Sequence, residues 1–270
     1  FYDSYKASAV IAGAVPAFVT LQAPAWPFDP EALRGAITPR TRAILLNTPH
    51  NPTGKVFSRD ELELIAGLAQ EHDLIVITDE VYDRILFDGA EHISIATLPG
   101  MWERTLTINS TGKTFSMTGW KIGYAVGPAS LNAALRAVHQ FVTFASQTPF
   151  QDAMAAALET ADERGYYDQL ARDYTDRRDA MRESLLAAGF EVLPVGGAYF
   201  LMAGVSDRGF ATDIEFCKWL TVEGRVATVP PSVFYDDPTR APLLARFCFA
   251  KRLETIAEAG RRLQAVKAPC

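Results

Sequence analysis

The chain has 270 residues, long enough for one large domain or two smaller ones, and its 49% hydrophobic and 21% charged residues describe a globular protein with a sizeable core. A formal net charge of -6 gives no basic surface for nucleic acid or an anionic membrane, so any cationic site must be local. Cys217, Cys248 and Cys270 are far apart and odd in number, His50, His72, His92 and His139 lack ligand spacing, and no apolar run approaches a membrane span; neither a disulfide framework, a metal site nor a membrane anchor is expected.

The chain opens at Phe1-Tyr2-Asp3 without an initiator methionine or a signal-like start, so an upstream segment is expected. Phe1 to Tyr5 reads as the tail of a strand passing into a helix, and Val15 to Leu21 as a further strand. Asp29 to Ala36 has the signature of a short helix, with Asp29 as cap and Pro30 in the first turn. The nearly continuous apolar run Arg42 to Asn47 is that of a strand buried on both faces.

Thr48-Pro49-His50-Asn51-Pro52-Thr53-Gly54-Lys55 follows, rich in turn formers; it is either a structural turn or a place where the Asn51 amide donates to a ligand oxygen. Ser58 and Glu61 form a capping box ahead of Leu62, Ile65, Leu68 and Ala69, which predicts an amphipathic helix. The strand Leu74 to Thr78 comes next, so strand, helix and strand imply a parallel crossover. It delivers Asp79, Glu80, Val81 and Tyr82 at its carboxyl end, where Asp79 either caps the turn or faces a protonated ring nitrogen.

Thr105 to Asn109 alternates as a half-buried strand, which places Ser110-Thr111-Gly112-Lys113 just past its carboxyl end, where ligands of open α/β sheets bind. A lysine there is either an ordinary solvated residue or the amine that holds an aldehyde cofactor as a Schiff base, with Ser110 and Lys121 near enough to hold an anionic group of the same ligand. Ile122 to Val126 reads as a strand and Ala129 to Phe144 as a helix with Leu131, Leu135, Val138 and Val142 on one face; Phe141 and Phe144 are most simply core residues.

Longer helices follow at Asp152 to Ala161 and Tyr166 to Ala188, the second stopped by Gly189 and carrying Arg172, Asp173, Asp176, Arg177, Arg178 and Asp179 as a solvated face. Strands at Glu191 to Leu193, Ala198 to Ala203, Arg225 to Val229 and Arg246 to Phe249, with helices at Asp213 to Glu223 and Leu253 to Val266, predict a smaller α+β unit. The expected division is residues 1-150 and 151-270, with the two units sharing an interface, and a cleft between domains is a common ligand site.

Asn51 in Asn-Pro-Thr-Gly, Asp79 and Tyr82 in Asp-Glu-Val-Tyr, Ser110 and Lys113 in Ser-x-x-Lys, Lys121 and Arg246 in Arg-Phe-Cys-Phe occur in the order and context of class I/II aminotransferases. The sequence resembles that pyridoxal-phosphate (PLP) family of fold type I over essentially its whole length. His92-Ile93-Ser94-Ile95-Ala96 and Met101 to Ile108 look most like its kynurenine/glutamine and methionine branch. The resemblance implies an α/β fold, with a large domain of mainly parallel sheet covered by helices on both faces and a smaller α+β C-terminal domain.

It implies, residue by residue, that Lys113 holds the cofactor and shuttles protons while Asp79 pairs with the pyridinium nitrogen. Asn51 and Tyr82 hydrogen-bond the phenolic oxygen, Tyr2 stacks on the ring, Ser110 and Lys121 bind the phosphate, and Arg246 clamps the substrate carboxylate. Lysine at 121 replaces the arginine of many relatives, exchanging a bidentate fork for a point charge. Tyr199, in Gly197-Ala198-Tyr199-Phe200, matches a segment lining the substrate side, and Phe144 an aromatic contributed by the partner subunit. The family also implies amino-acid and 2-oxo-acid substrates and a homodimer with shared active sites, in a cytoplasmic setting without nucleic acid or membrane. A cysteine-S-conjugate β-lyase of the same fold and the aminotransferase-like domain of a transcription regulator are the alternatives. In family members the segment that precedes the position of Phe1 contains a glycine-containing helix start that binds the phosphate, and the resemblance implies such a segment upstream of Phe1.

Overall fold

A computed structural model describes residues 1-266, so Cys270 lies outside the described residues. In chain order the elements are α1 (Asp3–Ile11), α2 (Pro30–Ala36), β1 (Ala43–Asn47), α3 (Arg59–Glu71), β2 (Ile75–Asp79), β3 (Thr105–Ser110), α4 (Thr111–Thr114), β4 (Gly123–Val126), α5 (Ala129–Val142), α6 (Thr148–Ala161), α7 (Tyr166–Ala187), β5 (Phe200–Gly204), α8 (Asp213–Val222), β6 (Leu244–Cys248) and α9 (Leu253–Ala265). They pack as two compact units.

The first unit comprises Ile37–His50 and Val56–Ala171. Its sheet has the order β1-β2-β3-β4, with β1, β2 and β3 parallel and β4 antiparallel. Asn47 stands opposite Asp79, Asp79 opposite Ile108, and Ser110 opposite Gly123. One edge of the sheet therefore gathers the carboxyl ends of β1, β2 and β3 together with the start of β4.

The parallel connection from β1 to β2 is made by α3. Ser58 Oγ accepts from the Glu61 amide while the Glu61 carboxylate accepts from the Ser58 amide, and the helix buries Leu62, Ile65, Ala66, Leu68 and Ala69. From β2 to β3 the chain makes only short 3-10 turns at Ile95–Thr97 and Trp102–Arg104, around the fully buried Ile85, Ile95 and Met101.

Two expectations fail in this unit. β1 is not buried on both faces: it is the outermost strand, and Leu45 is 45% exposed although Leu46 is buried. The helix α5 forms where its periodicity puts it, yet buries no residue, and Phe141 and Phe144 are 86% and 79% exposed instead of core. Period locates an apolar stripe but says nothing about the surface that covers it.

The second unit comprises Phe1–Ala36, Asn51–Lys55 and the described chain from Arg172 onward. β5 and β6 pair antiparallel with Met202 opposite Arg246, above a core containing Leu185, Leu201, Phe216, Leu220, Phe247 and Ile256. The expected strands at 191-193 and 225-229 reduce to single bridges, Val192 to Ala203 and Val229 to Arg246. α2 starts as expected, with Asp29 Oδ1 accepting from the Glu31 amide. Val15 to Leu21 is not a strand, because no neighbour completes its hydrogen-bond ladder among the described residues. α1 begins at Asp3, without a preceding strand. Within the charged stretch of α7, Arg178 is buried and its Nε donates to Asp179 Oδ1 at 2.8 Å, so that face is not wholly solvated.

Compact packing groups the chain differently from a cut at residue 150. Residues 151-171 stay with the first unit, where Trp120 stacks on Phe150 at 4.5 Å and Tyr166 Oη donates to Thr114 O at 2.7 Å. The N-terminal segment joins the second unit because Trp26 packs with Leu193, Met202 and Leu244. Asn51–Lys55 joins it because Gly54 O accepts from the amides of Gly196 and Gly197. Gly54 has φ +70°, and a Cβ there would lie 2.3 Å from Val195 Cγ2, so only glycine fits this approach.

Candidate active site

In the first unit the sheet edge presents Asp79, Tyr82, Ser110, Lys113 and Lys121. The backbone around Asp79 is held by three bonds: its carbonyl accepts from Asn47 Nδ2 at 2.9 Å and from the Thr48 amide at 3.1 Å, and the next amide, Glu80 N, donates to Ile108 O at 2.9 Å. Its carboxylate Oδ1 accepts from the Val81 amide at 3.2 Å. Tyr82 is buried in the turn that follows.

Lys113 rides on α4, a single turn capped by Ser110, whose Oγ accepts from the Gly112 amide at 3.1 Å and donates to Ile122 O at 3.3 Å. Thr111 Oγ1 also donates to Ile122 O, at 2.9 Å, and Thr118 Oγ1 donates to Gly112 O at 3.1 Å. A Cβ on Gly112 would meet Thr118 Cα at 3.1 Å, so a larger residue there would push the loop apart by a few tenths of an ångström. The half-buried Lys113 carries its Nζ 5.9 Å from the centroid of the Tyr82 ring. Lys121 is exposed in the left-handed region at φ 58°, two residues before the Gly123 that pairs with Ser110.

In the second unit Arg246 donates from Nη1 to Asn51 Oδ1 at 2.7 Å, although the two are 195 residues apart. Its guanidinium lies over the rings of Phe200, at 4.1 Å, and Phe234, at 5.0 Å, both buried. Tyr199, half-buried, stacks on Tyr174 at 6.0 Å and meets Phe200 edge-on at 4.7 Å. This arrangement holds a planar cation on aromatic faces, with hydrogen-bond donors directed along its edge, as capture of a carboxylate requires.

The residues named from sequence thus form two groups, each within one unit: Asp79, Tyr82, Ser110, Lys113 and Lys121, and Asn51, Tyr199 and Arg246. Tyr2 is 43% exposed at the start of α1 and meets Tyr5 edge-on at 5.7 Å. Phe144 lies exposed just past α5. Sequence reasoning missed Phe200 and Phe234 as partners of Arg246. Phe234 lies twelve residues upstream in a separate 3-10 turn, and no local pattern announces such a contact. Among the described residues no group of three His, Cys, Asp or Glu side chains could hold a metal ion, and no helix is long and apolar enough to cross a membrane.

Comparison with known proteins adds independent findings. The model of the family described as aminotransferase class I and II matches residues 1–263. The kynurenine–oxoglutarate transaminase of Dictyostelium discoideum is 40% identical over 302 residues, covering 99% of this chain and 69% of that protein. Kynurenine–oxoglutarate transaminase 3 of Mus musculus is also 40% identical, but only 62% of its length is covered, so the chain spans about two thirds of such relatives. Among solved structures, N-succinyldiaminopimelate aminotransferase from Mycobacterium tuberculosis superposes with a TM-score of 0.92 at 44% identity, over 98% of this chain and 69% of that one. YbdL from Escherichia coli, identified there as a methionine aminotransferase, gives 0.93 at 38% identity over the same shares. The shared fold is that of the fold type I enzymes, and the chain belongs to the class I and II aminotransferases.

Proposed function

We propose that this chain carries the catalytic core of a PLP-dependent aminotransferase that moves an amino group from an L-amino acid to a 2-oxo acid. The observation that carries this reading is Lys113, held on a capped turn at the carboxyl end of β3 with its amine facing the Tyr82 ring. Family membership supplies the cofactor class.

The residues fit that cofactor on their own chemistry. A guanidinium only donates, so its bond to Asn51 turns the amide oxygen toward Arg246, and Nδ2 is the end of that amide that would donate to a phenolic oxygen. Tyr82 is the second phenolic-oxygen partner and Tyr2 the stacking ring. Asp79 is the anion for a ring nitrogen, and it keeps that nitrogen protonated. Ser110 and Lys121 take the phosphate, the serine exchanging its Ile122 carbonyl for a phosphate oxygen. When bound, the cofactor supplies the sink for the electron pair left on the substrate's α-carbon.

With the cofactor held, Lys113 Nζ would be the base that takes the substrate's α-proton and the acid that gives it back. Arg246 holds the α-carboxylate through its two-pronged edge, which fixes the α-carbon for that transfer. Tyr199 lines the substrate side chain, joined by Phe144 of the partner subunit in a homodimer. The exposed Val138, Phe141, Val142 and Phe144 support such an assembly, and light scattering on the full-length protein tests it. The same reading puts the enzyme in the cytoplasm.

Kynurenine and methionine enter as candidate donors through the named relatives, with glutamine and aromatic amino acids beside them. The 44% identity to the N-succinyldiaminopimelate enzyme favours a second donor class, an amino acid with a long acylated side chain. In the full-length protein Lys113→Ala abolishes both the absorbance of the lysine-bound cofactor and turnover, and retention of both would reject the assignment. A donor and acceptor panel on the unmodified enzyme selects the substrate class. Release of pyruvate and ammonia from a cysteine S-conjugate without added oxo acid would instead favour the lyase.

A further inference from the structure

The segment after β2, Asp79 to Asp83, is a tight turn: the Asp83 amide donates to Glu80 O at 3.0 Å and the Ile85 amide to Tyr82 O at 2.9 Å. Its residues divide by what they engage. Asp79 and Tyr82, three apart, are the pair assigned to the cofactor; Glu80 and Asp83, also three apart, engage the protein. The Asp83 carboxylate is hydrogen-bonded by the Asn109 side chain, whose Oδ1 accepts from the Ser110 amide at 2.7 Å.

The Glu80 side chain is only 5% exposed, and its carboxylate accepts at both oxygens, from Ser94 Oγ at 2.9 Å and from His92 Nε2 at 2.8 Å. His92 and Ser94, two apart in the loop that precedes the turn at Ile95–Thr97, both bring their side chains to Glu80. His92 is itself 10% exposed, and its Nδ1 has no hydrogen-bond partner. Two donors from one loop thus hold a single buried anion at the centre of the turn. This gives a physical use to the His92-Ile93-Ser94 motif.

We infer that Glu80, held by His92 and Ser94, is a positioning residue that sets the Asp79 carboxylate and the Tyr82 hydroxyl against the cofactor. The inference rests on the roles proposed above for Asp79 and Tyr82. Glu80 follows Asp79 directly and lies two residues before Tyr82, so rotation of the turn about an unanchored Glu80 displaces both groups at once. Displacement by about 1 Å costs a catalytic site as much as a hundredfold in rate.

The test uses full-length, cofactor-loaded enzyme carrying Glu80→Ala, Glu80→Gln or Ser94→Ala, with Asp83 and Arg84, the other charged groups of this cluster, left in place. Three quantities are read: the pH titration of the absorbance of the lysine-bound cofactor, the cofactor Kd of the apoenzyme, and kcat and KM separately. Glu80→Ala is expected to move the absorbance pKa by about half a unit or more, because the partners that tune it have shifted. It lowers kcat about tenfold or more while leaving the donor KM within about twofold, the signature of lost transition-state positioning. Glu80→Gln, which still accepts through Oε1, restores most of both, and Ser94→Ala gives a smaller shift in the same direction. If Glu80→Ala does not fold, Ser94→Ala and Glu80→Gln carry the same comparison. Variants that lose only thermal stability, with wild-type titration and kcat, would overturn this inference alone. Absence of lysine-bound cofactor in the wild-type enzyme would overturn the parent reading and this inference with it.

Discussion

Arg246 Nη1 and Asn51 Oδ1 lie 2.7 Å apart, joining a residue of β6 to one in the Asn-Pro-Thr-Gly turn. A charge-assisted hydrogen bond of this kind contributes roughly 1.5–3 kcal/mol, about ten- to a hundredfold in an equilibrium constant. In the proposed site this bond would fix Arg246 for a carboxylate and orient the Asn51 amide for a phenolic oxygen at the same time. Asn51→Ala is therefore expected to raise the donor KM by about tenfold and to weaken cofactor binding in the same variant. Because the two residues act together, Asn51→Ala and Arg246→Lys combined should fall short of additivity by at least about 0.5 kcal/mol. Strictly additive losses would dissolve the coupling.

Phe234 and Phe200 hold the Arg246 guanidinium by their ring faces. Phe234→Leu keeps apolar volume and removes the π-face, a change of about 0.5–2 kcal/mol in a desolvated site. The single-turnover kcat/KM for an amino acid should drop severalfold, while the same quantity for the corresponding decarboxylated amine stays unchanged. Equal losses for acid and amine would mean that the ring serves general packing.

Asp83 is expected to give the folded enzyme a measurable acid-side signature. Burial raises its carboxyl above the usual carboxylate value, against the smaller opposing effects of the Asn109 hydrogen bond and Arg84. Between the unfolded value and the raised folded one, the native state binds more protons than the unfolded chain. Stability therefore falls as pH rises through that window and is recovered as pH falls. Asp83→Asn, which still accepts from Asn109, should flatten this slope in denaturant titrations run upward from the ordinary carboxylate range. An unaltered slope would show that Asp83 titrates like a free carboxylate.

Cys217 and Cys248 should differ in reactivity. Burial pushes the Cys217 thiol up to about 11, opposed in part by the nearby Thr228 hydroxyl. Its thiolate fraction at pH 8 is then roughly a hundredfold or more below that of a free cysteine. Peptide mapping after brief alkylation of the native protein should find the half-buried Cys248 modified well before Cys217. Early labelling of Cys217 would indicate that α8 opens readily.

Short-range chemistry is what the amino-acid sequence by itself determined. The Ser58–Glu61 box, the Asp29 cap before Pro30 and the apolar periods of β2, β3 and α3 each act within a few residues, so they were legible without coordinates. The order of Asp79, Tyr82, Ser110 and Lys113 along strand ends was legible for the same reason. Tertiary structure alone decided which distant groups meet: Arg246 with Asn51 and Phe234, Glu80 with His92 and Ser94, and the N-terminal segment with Leu193, Met202 and Leu244. It also decided that Phe141 and Phe144 stay outside the core and that Leu45 faces outward. The physical reason is that caps and periods are set by neighbours along the backbone, whereas burial and long-range pairing depend on which surfaces the closed chain brings together, and a local pattern holds no record of those.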